Sequence, residues 1–153
     1  MDLSDESPVW IGGCRCGKVR FRVSTRPLLT LACHCSGCQR MTGGAYALAV
    51  MVADEGFEVT SGEPVAGGMR GEVAHMHCPD CLSWVYTRPP GIPFVNIRTP
   101  MLDAPNGFAP FIDMWLAEKL SWVVPTAEHC YDRFPAPGEW RGLMAAYAVE
   151  HLV

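Results

Sequence analysis

Between residues 18 and 23 charged and apolar side chains alternate strictly, Lys18-Val19-Arg20-Phe21-Arg22-Val23, which is the period of a half-buried strand. After a turn at Arg26-Pro27, residues 28–32 lead into a thiol-rich stretch, and residues 46–52 form an apolar run that predicts a buried central strand. A helical turn is expected around residues 39–41, stopped by Gly43-Gly44. Short strand candidates follow at 57–60, 64–69, 73–77, 84–87 and 94–97, separated by Gly, Pro and Asp at intervals near the about 8–12 residues typical of all-β folds. Nine prolines between positions 89 and 137 exclude long helices there, and residues 111–115 offer one more strand. Trp140, Leu143, Met144 and Tyr147 then recur at helical spacing and predict a helix over 139–151. The pattern is that of a mainly β domain of short antiparallel strands with a C-terminal helix.

At 153 residues the chain suits a single domain with its own core, and 49% hydrophobic with 18% charged residues is an ordinary globular balance. A net charge of −4 with no Lys/Arg run disfavours nucleic acid as a partner. The longest apolar run, residues 45–53, is about half of the ~20 residues a membrane helix requires, so no membrane association is expected. Residues 1–9 are acidic, lack the features of a signal peptide and are expected to be flexible, which points to a cytoplasmic protein with reduced thiols.

The cysteines change the picture most. Seven of the eight fall in three groups: Cys14-Arg-Cys16, Cys33-His-Cys35-Ser-Gly-Cys38 and Cys78-Pro-Asp-Cys81. These are zinc-ligand spacings, and they outweigh chance burial of free cysteines or a redox C-x-x-C, which would need a βαβ setting absent here. Spacing leaves the partition open, since Cys33, Cys35, Cys78 and Cys81 would make as good a four-thiol set as Cys14, Cys16, Cys78 and Cys81. Only the latter leaves Cys33, Cys35 and Cys38 as a three-thiol set with an open fourth position, the mark of a catalytic zinc. Next to that stretch Ser36, Gln39, Arg40 and Thr42 are candidate substrate contacts, Arg40 for an anionic group. His34 is expected to face away from the metal, one of His75 and His77 to donate to a thiolate or carbonyl, and Cys130 to be unligated. Trp84, Trp115, Trp122, Phe94 and Phe111 are read as core.

The motifs Gly13-Cys-Arg-Cys-Gly17, Cys33-His-Cys-Ser-Gly-Cys38 followed by Gln39-Arg40, and Cys78-x-x-Cys81 resemble those of the glutathione-dependent formaldehyde-activating enzyme family, also called centromere-protein-V-like, over about residues 10–125. The resemblance implies a β-tent domain, the Rab-exchange-like zinc fold, followed by an extension over 126–153. It also implies a structural zinc on Cys14, Cys16, Cys78 and Cys81, a catalytic zinc on Cys33, Cys35 and Cys38, and glutathione and formaldehyde as substrates. Two departures stand out: Leu82 where the family usually has Gly, and Met101-Leu-Asp103 where it has Gly-Leu-Asp.

Two functions are compatible with these features. One is a carbon–sulfur lyase-type enzyme acting on a thiol/aldehyde adduct, in which a thiolate-rich zinc favours capture of a small thiol over activation of water. The other is a non-enzymatic zinc module that uses the same fold as a binding or assembly surface. A homo-oligomer is compatible with both.

Overall fold

The computed structural model describes residues 8–68 and 71–151, so most of the N-terminal segment expected to be flexible lies outside the described residues. Among the described residues eleven strands run in chain order: β1 (Trp10–Gly13), β2 (Arg20–Val23), β3 (Leu29–Cys33), β4 (Ala47–Ala53), β5 (Phe57–Ser61), β6 (Val65–Gly67), β7 (Ala74–His77), β8 (Trp84–Arg88), β9 (Phe94–Arg98), β10 (Ile112–Met114) and β11 (His129–Cys130). Two α-helices of the described residues join them, α1 (Ser36–Thr42) after β3 and α2 (Trp140–Glu150) at the end. A three-stranded sheet has the order β1-β2-β5, and an eight-stranded sheet the order β11-β10-β3-β4-β9-β8-β7-β6. Neighbours are antiparallel as expected, except that β10 runs parallel to both β3 and β11, which makes the large sheet mixed. No helix among the described residues is long and apolar enough to cross a membrane.

The central place of β4 follows from its sequence. Val50 and Val52 project into one core with Phe21, Phe57, Val95 and Ile97, beneath the three-stranded sheet. Ala49 and Met51 project into a second core with Leu29, Leu31, Ile112, Leu143 and Tyr147, where α2 packs. A strand buried on both faces needs no polar alternation, so the run from 46 to 52 is continuously apolar. Each large aliphatic or aromatic side chain buried in these cores contributes roughly 1.5–3 kcal/mol.

β1 carries no alternating pattern because Trp10-Ile-Gly-Gly13 is shaped by a close backbone approach instead. A Cβ at Gly12 would run into the Met101 carbonyl oxygen and the Phe21 ring, and Gly12 is bridged directly to Leu102. Residues 126–151 supply an edge strand and a covering helix to the large sheet. One core assignment is corrected: Trp84 and Phe111 are buried and Phe94 and Trp115 half-buried, but Trp122 is 74% exposed. It lies in the proline-bounded segment beyond β10, where no strand or helix presents it to a core.

Candidate metal centres

The first cluster forms where two hairpin turns meet. The turn between β1 and β2 carries Cys14 and Cys16, and the turn between β7 and β8 carries Cys78 and Cys81. All four Sγ atoms lie within 4.8 Å of one another, with Cys14–Cys16 at 3.6 Å and Cys16–Cys78 at 3.8 Å. Four sulfurs at about 2.3 Å from a tetrahedral zinc stand about 3.8 Å apart, so the donor set fits that ion. Cys14-Arg-Cys16 lies in a tight turn, in which Gly17 N–H donates to the Cys14 carbonyl and Gly17 takes φ +81°. An extended pair two residues apart would separate its Cα atoms by roughly 6.6 Å, whereas the turn folds the sulfurs together. The partition that spacing left open is thereby decided in favour of Cys14, Cys16, Cys78 and Cys81.

Surrounding donors hold negative charge on these sulfurs. The Val19 N–H points at Cys14 Sγ at 3.3 Å, and the Ser83 hydroxyl lies 3.2 Å from Cys81 Sγ while accepting from the Arg15 N–H. Ser83 through its hydroxyl, then its backbone, pushes the Cys81 thiol down to about 5. The knuckle closes with Leu82 N–H on the Cys78 carbonyl and Cys78 N–H on that of Ser83, which forces Leu82 to φ +62°. A left-handed conformation costs a non-glycine residue about 1–2 kcal/mol, and Leu82 is 70% exposed, so its side chain returns little of this by burial. Leu82→Gly is therefore expected to stabilise the protein by about 1 kcal/mol, net of glycine's greater entropy when unfolded. Urea denaturation checks it, and an unchanged or lower midpoint would show that Leu82 is unstrained.

The second cluster lies where β3 gives way to α1. Cys33 ends β3 and is buried, Cys35 caps α1, and Cys38 sits in its first turn with its N–H on Cys35 Sγ at 3.3 Å. The three Sγ atoms lie within 4.8 Å of one another, and among the described residues no fourth His, Cys, Asp or Glu donor joins them. Hydrogen bonds from the Cys33 and Cys38 thiols, aided by the Cys38 and Gly37 backbone, push Cys35 down to about 2, while the same sharing raises Cys33. The set fits a soft cation with one position left over.

The loop is braced from behind. His34 turns away from the sulfurs, as expected, and its buried Nε2–H donates to Asp113 Oδ1 at 2.6 Å. Asp113 Oδ2 accepts from the Thr126 and Ala127 N–H groups, tying the thiol loop to the chain beyond β10. The Gln39 amide donates to the His34 and Glu118 carbonyls, and the Ser36 N–H to Glu118 Oε1. Gln39 thus braces the loop with its side chain. Ser36, Arg40 and Thr42 are exposed, Thr42 donating to the Cys38 carbonyl at 2.9 Å. His77 Nδ1 donates to the His75 carbonyl, and Cys130 stands apart, its thiol on the Ala127 carbonyl.

A cleft of about 400 Å³ opens beside α1, walled by Met41, Thr42, Tyr46, Leu48, Trp84 and Arg98 among others. Arg98 is only 7% exposed and lies over the Trp84 ring at 4.2 Å. Burial lowers its pKa to about 10, against the pull of Cys38, Cys33 and Cys35.

The sequence profile of the glutathione-dependent formaldehyde-activating enzymes matches residues 9–118. The chain belongs to the glutathione-dependent formaldehyde-activating enzyme family. No curated protein matches it. A structural-genomics crystal structure of a Rhodobacter sphaeroides protein is similar at 20% identity, covering 79% of this chain and 98% of that one with a TM-score of 0.48.

Within this member of the formaldehyde-activating family, sequence reasoning missed Asp113, Glu118 and Arg98. Asp113 and Glu118 lie 79 and 82 positions beyond His34 and Ser36, the loop residues that they hold. Arg98 carried a weak signal, a lone cation at the end of an apolar strand candidate.

Proposed function

We propose that this family member is a zinc-dependent carbon–sulfur lyase-type enzyme acting on the adduct of a small thiol with an aldehyde, of the S-hydroxymethylglutathione kind. The observation that carries the reading is the three-thiol set of Cys33, Cys35 and Cys38, with no fourth protein donor among the described residues, on a loop and helix α1 whose C-terminal residues Met41 and Thr42 line a cleft. A zinc ion held there would offer an open coordination position to a thiol sulfur or a carbonyl oxygen. Cys14, Cys16, Cys78 and Cys81 would hold a structural zinc.

The chain's own residues supply position and environment. Cys33 is fixed by the β3 ladder and Cys35 by its capping role, so the sulfurs are set before substrate arrives. The His34–Asp113 pair and the Gln39 bonds keep the loop from relaxing toward its missing fourth ligand. Met41, Tyr46 and Leu48 give the cleft an apolar wall that Thr42 borders, and Ser36, Arg40 and Thr42, exposed on α1, are the proposed contacts for polar parts of the thiol. In the forward direction the thiol sulfur adds to the aldehyde carbon, and the thiol proton ends on the former carbonyl oxygen. The reverse breaks the same C–S bond and returns the proton to sulfur. Reduced thiols suit the cytoplasm.

The test is exchange between free glutathione and its formaldehyde hemithioacetal, followed by magnetisation-transfer NMR at equilibrium. The zinc-loaded protein is expected to accelerate exchange, and Cys35→Ser to remove the acceleration while leaving the fold intact. Exchange at the uncatalysed rate for every thiol and aldehyde tried would favour the binding-module reading instead.

A further inference from the structure

Arg98 is a buried cation with no carboxylate partner among the described residues. It ends β9 opposite Ala49 of β4, which lies opposite Leu31 of β3, two residues before Cys33. Residues in register share a face and so do residues two apart on a strand, so Arg98 and Cys33 project from the same side of the sheet. Among the described residues Arg98 forms no salt bridge, its Nε has no hydrogen-bond partner, and its one contact of that kind is a long bond of 3.4 Å from Nη2 to the Asn96 carbonyl. A guanidinium has five donors, and native proteins leave buried donors unpaired only for a reason.

The stacking partner is itself fixed. Trp84 Nε1–H donates to the Thr87 hydroxyl at 2.9 Å, and His75 packs edge-on against its ring at 5.3 Å. A guanidinium centred 4.2 Å over such a ring is held in place with its Nε and Nη1 donors unpaired, which suits recognition of a carboxylate. Arg98 borders the cleft, and the cleft wall is tied to the three-thiol loop through the Thr42–Cys38 hydrogen bond.

We propose that Arg98, held on Trp84, is a specificity-determining residue that binds a carboxylate of the substrate thiol while the thiol sulfur sits at Cys33, Cys35 and Cys38. This rests on the reading of those thiols given under Proposed function. It selects carboxylated thiols over neutral ones of the same size, and it assigns the anion to Arg98 in the cleft, where the sequence pointed to the exposed Arg40.

The test uses cobalt-loaded protein, whose visible ligand-field spectrum reports thiol coordination, titrated with two matched pairs: 3-mercaptopropionate against 3-mercapto-1-propanol, and glutathione against its dimethyl ester. In at least one pair the acid is expected to bind roughly tenfold tighter or more, the range for a hydrogen bond to a charged group. Arg98→Met should abolish that preference while leaving the neutral thiol's affinity within about threefold, and Arg98→Lys should keep part of it. The neutral thiol thus reports in each variant whether the site is still formed. Equal binding within both pairs in the wild type would overturn the assignment of Arg98 and leave thiol capture standing. Equal loss of acid and neutral thiol in Arg98→Met would also overturn it, making Arg98 a structural counter-charge. A spectrum unmoved by all four thiols would remove thiol capture and the anchor together.

Discussion

Cys78→Ser is expected to lower the melting temperature by about ten degrees or more. Cys78 is fully buried, and its turn meets the β1–β2 turn, so its cluster pins the three-stranded sheet to the eight-stranded one. Binding of a structural zinc contributes directly to folding free energy, on the order of 10 kcal/mol in small zinc domains. A serine oxygen in place of one thiolate forfeits several kcal/mol of this, and each kcal/mol moves the melting point of a chain of this size by roughly 2–4 °C. A melting curve that coincides with the wild type would remove the structural role from this cluster.

Metal release should separate the two centres. A colorimetric chelator added to the zinc-loaded protein is expected to draw out one equivalent quickly and the other slowly. Three ligands hold an ion less firmly than four, and the three-thiol set has no fourth protein donor among the described residues. Cys35→Ser should abolish the fast phase alone and leave the melting temperature near that of the wild type, because the β3–α1 loop keeps its Gln39 and Asp113 braces. One slow phase in both proteins would mean that the centres are equivalent.

The contrast between the centres was partly legible in the sequence because ligand spacing is local. Cys33, Cys35 and Cys38 lie within six residues, and the chain needs only a cap and one turn to bring them together. Joining Cys14 and Cys16 to Cys78 and Cys81 depends on which hairpins touch, a long-range fact that spacing left undecided. The central strand and the final helix were legible for the same local reason, since their apolar patterns record burial on two faces and on one. β1 and β11 were not: Trp10–Gly13 owes its shape to Leu102 and Phe21, and His129–Cys130 is a strand only because β10 lies beside it. The parallel β10 required knowing where the chain returns. Leu82 shows the limit from the other side, because its departure from the family pattern could be read, but its left-handed backbone had to be seen. Arg98 takes its meaning from Trp84 and from the lack of a carboxylate partner among the described residues, neither of which is written in its neighbours along the chain.

Cadmium-113 NMR of the doubly substituted protein measures most directly whether one centre is closed and the other open. Two resonances are predicted: one at a four-thiolate shift, indifferent to added thiol, and one at a three-thiolate shift, absent from Cys35→Ser, that moves toward the four-thiolate region as glutathione is added. Two four-thiolate resonances, or a three-thiolate resonance that no small thiol displaces, would contradict an open coordination position at Cys33, Cys35 and Cys38.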